Sequence, residues 1–318
     1  MRSRLVMLLA VVLAVVGVTS VAIHLIGFSS SHPPAAHASL PSRPAAYLGV
    51  FETGAPPGYA AIADFTQAAG RTPNLIGYYS GWAGTFDAAF AEMLYEHKII
   101  PFVQIDPTDA SVAAIAAGTY DAWLRTYADS VADFGHAVVI GFGHEMNARW
   151  YTWGYGHVPP STFVAAWRHI VTVFRSEGAD NVTWLWTLQA DEPGTGPVAS
   201  WWPGAQYVTW IGLDGYYRQP SDTFASVFGL TIDQVRAFTG KPILLSETAV
   251  GPDTGLFVKI QNLFQGMATY KTLGLVWFDK DQHGSIDHQD WRIEDSQQAE
   301  ISFRLAVLRE LAPNPPAG

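Results

Sequence analysis

Two glutamates, each closing a short apolar run, are the residues of this chain best placed to do chemistry. The first lies in Val138–Trp153, VVIGFGHEMNARWYTW. A β-branched run there reads as a buried strand, and Gly141 and Gly143 let its end bend sharply. His144, Glu145 and Asn147 follow, and then the rings of Trp150, Tyr151 and Trp153. The second acid, Glu247, closes the run PILLSE from Pro242. An acid at a strand tip beside aromatic rings suits a sugar, because rings stack on its apolar faces while a carboxyl works at the anomeric carbon. Retaining glycosidases need two such carboxyls roughly 5–5.5 Å apart. The proton donor needs an environment that raises its pKa, and the nucleophile needs hydrogen bonds that keep it ionised.

A fold must bring the two acids together. Strand-like runs are expected over 47–51, 75–80, 99–106, 138–145, 182–187, 208–216, 242–247 and 273–279. Helical segments are expected over 59–69, 86–97, 109–134, 161–177 (with Ser161 as N-cap), 222–238, 256–270 and 298–311. The stretch 188–207 reads as loop. Eight strands alternating with helices predict an α/β fold of the (β/α)8 TIM-barrel type, with one catalytic domain over 47–314. A doubly wound sheet would need a phosphate-binding glycine motif after the first strand, and none is there. Active sites of such barrels sit at the C-terminal strand ends. In order these are Tyr79, Gln104 or Asp106, His144–Glu145, Trp186, Asp214 to Tyr216, Glu247 and Trp277. The two glutamates then face each other from the fourth and seventh strands.

Four segments, GHEMNARWYTW (143–153), YVTWIGLDGYY (207–217), LLSET (244–248) and DWRI (290–293), resemble family 26 of the glycoside hydrolases. The resemblance runs in matching order from about Tyr47 to the C-terminus. Members of that family are clan A barrels that include endo-β-1,4-mannanases, some acting on mixed-linkage β-glucans or β-1,3-xylans. It implies Glu145 as acid/base and Glu247 as nucleophile, with a β-linked polysaccharide as partner, most simply β-1,4-mannan or glucomannan. It also implies that Tyr216 hydrogen-bonds the nucleophile, that Trp150 and Trp277 face the sugar, and that His144 serves the substrate or the acid. Ala148 stands where the family commonly has glycine, and WLWTLQ (184–189) matches only loosely.

Plainer readings compete at each position. Glu145 would be structural if it paired with Arg149, and Trp150, Trp153 and Trp277 would be core residues if they faced helices. Trp201 and Trp202 read as packing residues, as do His97, His136, His157 and His169, which lack metal-ligand spacing. Loop 279–290 places acids at positions one, three, nine and twelve of a calcium-type loop, with glycine at six. His283 at position five and Asp290 at twelve are poor matches, so it reads first as a polar loop shaping the cleft. No cofactor or metal is expected. Net charge −10 and the lack of any basic cluster exclude a phosphate-backbone partner. The chain has no cysteine, which excludes disulfides and thiolate metal sites.

The first 28 residues carry Arg2 and Arg4 ahead of an apolar run from Leu5 to Phe28. That pattern predicts a signal peptide or an N-terminal membrane anchor, followed by a Pro/Ser/Ala-rich linker over 29–46. Ala36-His37-Ala38 has the small-x-small pattern of a cleavage site. Both alternatives put the domain outside the cell, with membrane contact only through that segment.

Overall fold

The computed structural model describes residues 40–190, 192–251, 255–282 and 289–312. The leader expected over 1–28, the linker before Leu40 and the centre of the 279–290 loop lie outside the described residues. Eight parallel strands close into a barrel in sequence order: β1 (Tyr47–Glu52), β2 (Leu75–Gly81), β3 (Ile100–Asp106), β4 (Val138–Phe142), β5 (Val182–Gln189), β6 (Trp210–Asp214), β7 (Ile243–Thr248) and β8 (Gly274–Asp279). β8 pairs with β1 to complete the ring. Nearly every strand residue up to the tips is buried, as strands covered on both faces must be. The expected (β/α)8 barrel is therefore the fold.

Helices pack outside the strands: α1 (Ala60–Ala69), α2 (Ala88–Glu96), α3 (Val112–Ala116), α4 (Asp121–Phe134), α5 (Pro160–Ser176), α6 (Leu230–Arg236), α7 (Leu256–Tyr270) and α8 (Gln297–Glu310). In α4 the buried residues are Leu124, Tyr127, Ala128, Val131 and Phe134, one apolar stripe at helical spacing. The single helix expected over 109–134 is two, because Gly118 adopts a left-handed φ of 79° between them. α5 begins at Pro160 and not with Ser161 as cap. Pro159 is its N-cap residue, and a proline in the first turn lacks only an N–H that would have no partner there.

The pleat decides which residues reach the barrel axis, and two features override simple alternation. Gly141 of β4 has no side chain because a Cβ there would lie 1.9 Å from Gln104 Oε1. The space lets Gln104 cross the interior and donate to Thr187 Oγ1 at 2.9 Å. In β7 the register slips against β6, so that Leu245 faces Leu213 while Glu247 faces Asp214. The extra residue is Ser246, whose Oγ donates inward to Asp214 Oδ1 at 2.6 Å. This bulge turns two successive residues, Ser246 and Glu247, toward the same side, which a regular strand cannot do.

Residues 40–46, read from composition as flexible linker, are docked at the N-terminal end of the barrel. Leu40 and Ala46 are buried. Tyr47 donates to Pro41 O at 2.8 Å, Trp210 to Ser42 Oγ at 3.2 Å, and the Ala45 N–H to Thr272 O at 2.9 Å. Composition signals the prolines here but not the hydrogen bonds that hold them.

At the opposite end of the β1–β8 seam, Glu52 and Asp279 lie side by side in register. Burial raises Glu52 to about 7, opposed by its hydrogen bond with Asp279 and reinforced by Glu294. Asp279 is also held well above the usual carboxylate range, first by burial and then by Glu294 and Glu52. The two share a proton. A carboxyl whose folded pKa is raised stabilises the fold fully below its unfolded pKa and loses that contribution as pH rises through the folded value. Thermal stability should therefore fall between about pH 5 and pH 8, and Glu52→Gln, which replaces the shared proton with amide hydrogens, should flatten that slope. Melting temperatures across this range check it, and parallel slopes for the two proteins would refute it.

Candidate active site

The C-terminal strand ends surround a cleft of about 670 Å³, within the range of small-ligand sites. Tyr79 of β2, Asp106 of β3, Gln189 of β5, Glu247 of β7 and Phe278 of β8 line it, together with the loop after β4. That loop, not a strand tip, carries Glu145. β4 ends at Phe142, Gly143 turns left-handed with φ 52°, and Glu145 itself sits at φ 53°. Such a backbone is costly for a side-chain residue, and it persists where surrounding contacts impose it. Here the Glu145 N–H donates to Thr187 O at 3.0 Å, and its carbonyl accepts from the Ala148 N–H at 2.8 Å.

Each residue of the HEMN motif has a separate task. His144 Nδ1 lies 2.8 Å from Asp106 Oδ1, and its Nε2 lies 3.0 Å from the Tyr151 hydroxyl. Glu145 points into the cleft, where Trp150 Nε1 donates to its Oε2 at 2.6 Å. Met146 is fully buried. Asn147 clamps the loop to β5: its amide donates to Gln189 O at 2.9 Å, and its oxygen accepts from the Gln189 N–H at 2.9 Å. Trp153 supports the motif from behind by donating to His144 O at 2.9 Å and stacking on Tyr151 at 4.3 Å.

Glu247 receives two phenols. Tyr216 donates to its Oε2 at 2.6 Å, and Tyr79 donates to its Oε1. Both phenols are pushed well above their usual range, chiefly by burial and then by the Glu247 charge, so they remain donors. An oxygen from each of Glu145, Asp214 and Glu247 lies within 4.8 Å of the others.

Electrostatics separate these acids. Burial pushes Glu145 up to about 7; the neighbouring His144 and the Trp150 hydrogen bond pull it down, and Glu247 pushes it up. Asp214 is held well above the carboxylate range by burial and then by Glu247 and Glu145. That surround favours its protonated form, beneath the pair. Burial alone would lower His144, but Asp106, through charge and hydrogen bond, together with the two glutamates carries it up to about 9. As an imidazolium it donates from both nitrogens, so the Tyr151 oxygen accepts and the Tyr151 proton is free for the cleft.

Of the residues expected from sequence, His144, Glu145, Trp150, Tyr216 and Glu247 all line one cleft. Trp277 does not. It points outward from β8, 1% exposed, with its ring edge-on to Phe303 of α8 and its Nε1 donating to Trp291 O at 2.9 Å. Pleat parity gives the cleft to Phe278 instead. Trp186 likewise faces outward, against Trp202 and Phe238. Arg149 does not pair with Glu145; its guanidinium lies 4.4 Å from the ring centroid of Tyr155. In loop 279–290, Asp279 accepts from the Ile293 N–H and Asp290 pairs with Arg292 at 2.6 Å, while Gln282 lines the cleft. Tyr79, Asp106 and Asp214 stand at strand ends that the sequence locates without revealing their roles. Tyr151 and Gln189 carried no signal beyond their neighbourhood.

Residues 118–283 match the profile of Glycosyl hydrolase family 26. The chain belongs to that family. Endoglucanase H of Acetivibrio thermocellus is 28% identical over 271 residues, covering 80% of this chain and 29% of that protein. Beta-1,3-xylanase TXYA of a Vibrio species is 25% identical over 174 residues, covering 51% of this chain and 36% of that protein. The matched region thus spans about a third of these relatives' length. Among solved structures, Bacillus subtilis mannanase man26 has the same fold, with a TM-score of 0.64, 20% identity and 90% of each chain covered.

The Trp150 hydrogen bond favours the ionised form of Glu145. Trp150→Phe removes the donor, so the Glu145 pKa should rise from about 7. If Glu145 must be protonated to act, the alkaline limb of the kcat/KM profile should move to higher pH. An unmoved or lowered limb would show that the indole does not tune this acid.

Proposed function

We propose that this chain is an exported endo-β-glycanase that cleaves by retaining double displacement, with Glu145 as acid/base and Glu247 as nucleophile. The observation that carries the reading is the separation of the pair. Carboxyl oxygens within 4.8 Å leave no room for the water that an inverting enzyme activates between acids about 6.5–9.5 Å apart. Glu247, served by two phenols, attacks the anomeric carbon. Glu145, still protonated up to about pH 7, gives its proton to the departing oxygen. In the second half Glu145 takes a proton from water, which displaces Glu247. The exposed indole of Trp150 and the ring of Phe278 offer apolar faces to the sugars.

For the sugar, the motif resemblance supports β-1,4-mannan or glucomannan. A second reading, β-glucan, is supported by Endoglucanase H, the relative aligned over 80% of this chain. Export is supported by Arg2, Arg4 and the apolar run behind them.

Glu247→Ala and Glu145→Ala should each lower kcat on the polysaccharide by about 10³-fold or more, while on an aryl glycoside whose leaving group departs without a proton, azide should restore Glu145→Ala as a small nucleophile that needs no base. Product NMR should show the β-anomer first. An α-anomer first, or full activity in both variants, would sink the assignment. Reducing-end release from mannan, glucomannan, lichenan and β-1,3-xylan separates the two sugar readings.

A further inference from the structure

Each of the two phenols that serve Glu247 carries a cation on its ring face. The Arg218 guanidinium lies 4.9 Å from the ring centroid of Tyr216, and Lys280 Nζ lies 5.1 Å from that of Tyr79. Arg218 lines the cleft and reaches Glu192 Oε2 at 3.5 Å, so its charge is already engaged. Lys280 follows the tip of β8, is half-buried and does not line the cleft.

Three strands build the seat of this ammonium. Besides Tyr79 of β2, it lies 5.1 Å from the ring centroid of Phe278 of β8 and 5.7 Å from that of Phe51 of β1. Phe51 in turn stacks on Tyr79 at 4.9 Å. A ring face attracts a cation within about 6 Å, and three faces hold one ammonium more firmly than one does. The backbone is fixed as well. The Lys280 N–H donates to Phe278 O, and its carbonyl accepts from the Trp291 N–H, both at 3.0 Å. Burial pushes Lys280 below the usual lysine range, while Glu247 and Glu52 pull it back up.

The charge reaches Glu247 in two ways. One is direct attraction across a buried site, where salt screens little. The other runs through Tyr79, whose hydroxyl donates to Glu247 Oε1. Ring electrons drawn toward the cation leave that hydroxyl a better donor. Glu247 also faces His144, Glu145 and Tyr151 from the loop after β4, and Asp214 and Tyr216 from the end of β6. His144 is bound to Asp106, and Glu52, the other acid that acts on Lys280, shares its proton with Asp279. We propose that Lys280 is a positioning residue for the nucleophile, its charge favouring the Glu247 carboxylate before attack and again when water displaces it. In that second step the water oxygen bonds to the anomeric carbon and its proton goes to Glu145. The bond from carbon to Glu247 breaks, with both electrons returning to the carboxylate. The inference rests on the glycanase reading above.

Lys280→Met keeps an aliphatic stem against the rings and removes the charge, whereas Lys280→Arg keeps the charge. On the β-glycan that the wild type cleaves best, the acid limb of kcat/KM follows Glu247 as it takes up a proton. That limb should move up by about half a pH unit or more in Lys280→Met and stay in place in Lys280→Arg. The alkaline limb, set by Glu145, should move less. Carbon-13 NMR of the glutamate carboxyls, with the Glu247 signal assigned by Glu247→Gln, should show the same upward shift without substrate. Lys280→Gln gives the same comparison should the methionine variant not fold. An unmoved limb and signal would overturn the proposal, as would an arginine variant displaced as far as the methionine one. So would a raised KM with an unmoved limb, the mark of a sugar contact. A moved signal in a protein whose wild type cleaves no glycan would instead overturn the glycanase reading and leave the influence of Lys280 on Glu247 standing.

Discussion

The constraint on which the site depends is the crowding of carboxyls in a buried cleft. Oxygens of Glu145, Asp214 and Glu247 lie within 4.8 Å of one another. Two full charges at that spacing repel by about 3 kcal/mol even at an effective dielectric near 20, so three cannot all be ionised together. The structure meets this by giving each acid a different surround. Asp214 is sealed beneath the others, where burial and the two glutamates push its pKa well up. Glu145 is buried enough to hold its proton to about 7, with a cation and an indole N–H limiting how far it rises. Glu247 takes two phenolic hydrogen bonds. The two glutamates are told apart by these surrounds and not by residue type, which is the same.

Holding the acids that close requires backbone irregularity on both sides of the cleft. On β7 the bulge turns Ser246 and Glu247 to one side. Ser246 then holds Asp214, and Glu247 stands above it. On the β4 side, the left-handed Glu145 is locked by its N–H to Thr187 and by Asn147 gripping Gln189. Each device ties to a neighbouring strand, the bulge to Asp214 of β6 and the Glu145 turn to the β5 backbone, so the barrel itself sets the distance between the acids. His144 completes the frame: Asp106 of β3 fixes one ring nitrogen and Tyr151 the other.

Much of this was legible in the sequence, and the failures share one physical cause. Apolar runs and turn residues located eight strands, and strand-end positions located the two acids. What periodicity cannot report is which side of the pleat a residue takes after a bulge or a turn. Trp277 is the larger and more sugar-like ring, but parity on β8 turns it outward and gives the cleft to Phe278. The strand read through to Glu145 stops at Phe142, because the positive φ of a glutamate is imposed by tertiary hydrogen bonds. Asp214 and Tyr79 stood in plain view at strand ends. Their roles come from neighbours distant in sequence, Ser246 and Glu247. Residues 40–46 have a linker's composition and a domain's hydrogen bonds, and only the second is decisive.

The same separation of tasks extends from the acids to the walls of the cleft. In the proposed reaction, proton donor, nucleophile and their phenols act on the anomeric carbon and the departing oxygen, atoms that every β-linked glycan presents alike. They cannot report the configuration at C2 or the linkage of the next sugar. Discrimination has to come from groups that touch the rest of the chain. In this barrel those groups stand at the tip of β5 and on the loops after β6 and β8, where Gln189, Arg218 and Gln282 line the cleft. Loops can change length and composition without moving the strand-tied acids. A fixed reaction centre with variable walls is thus what the proposed reaction needs, with the strand-tied acids setting the chemistry and the loops around them setting which glycan fits.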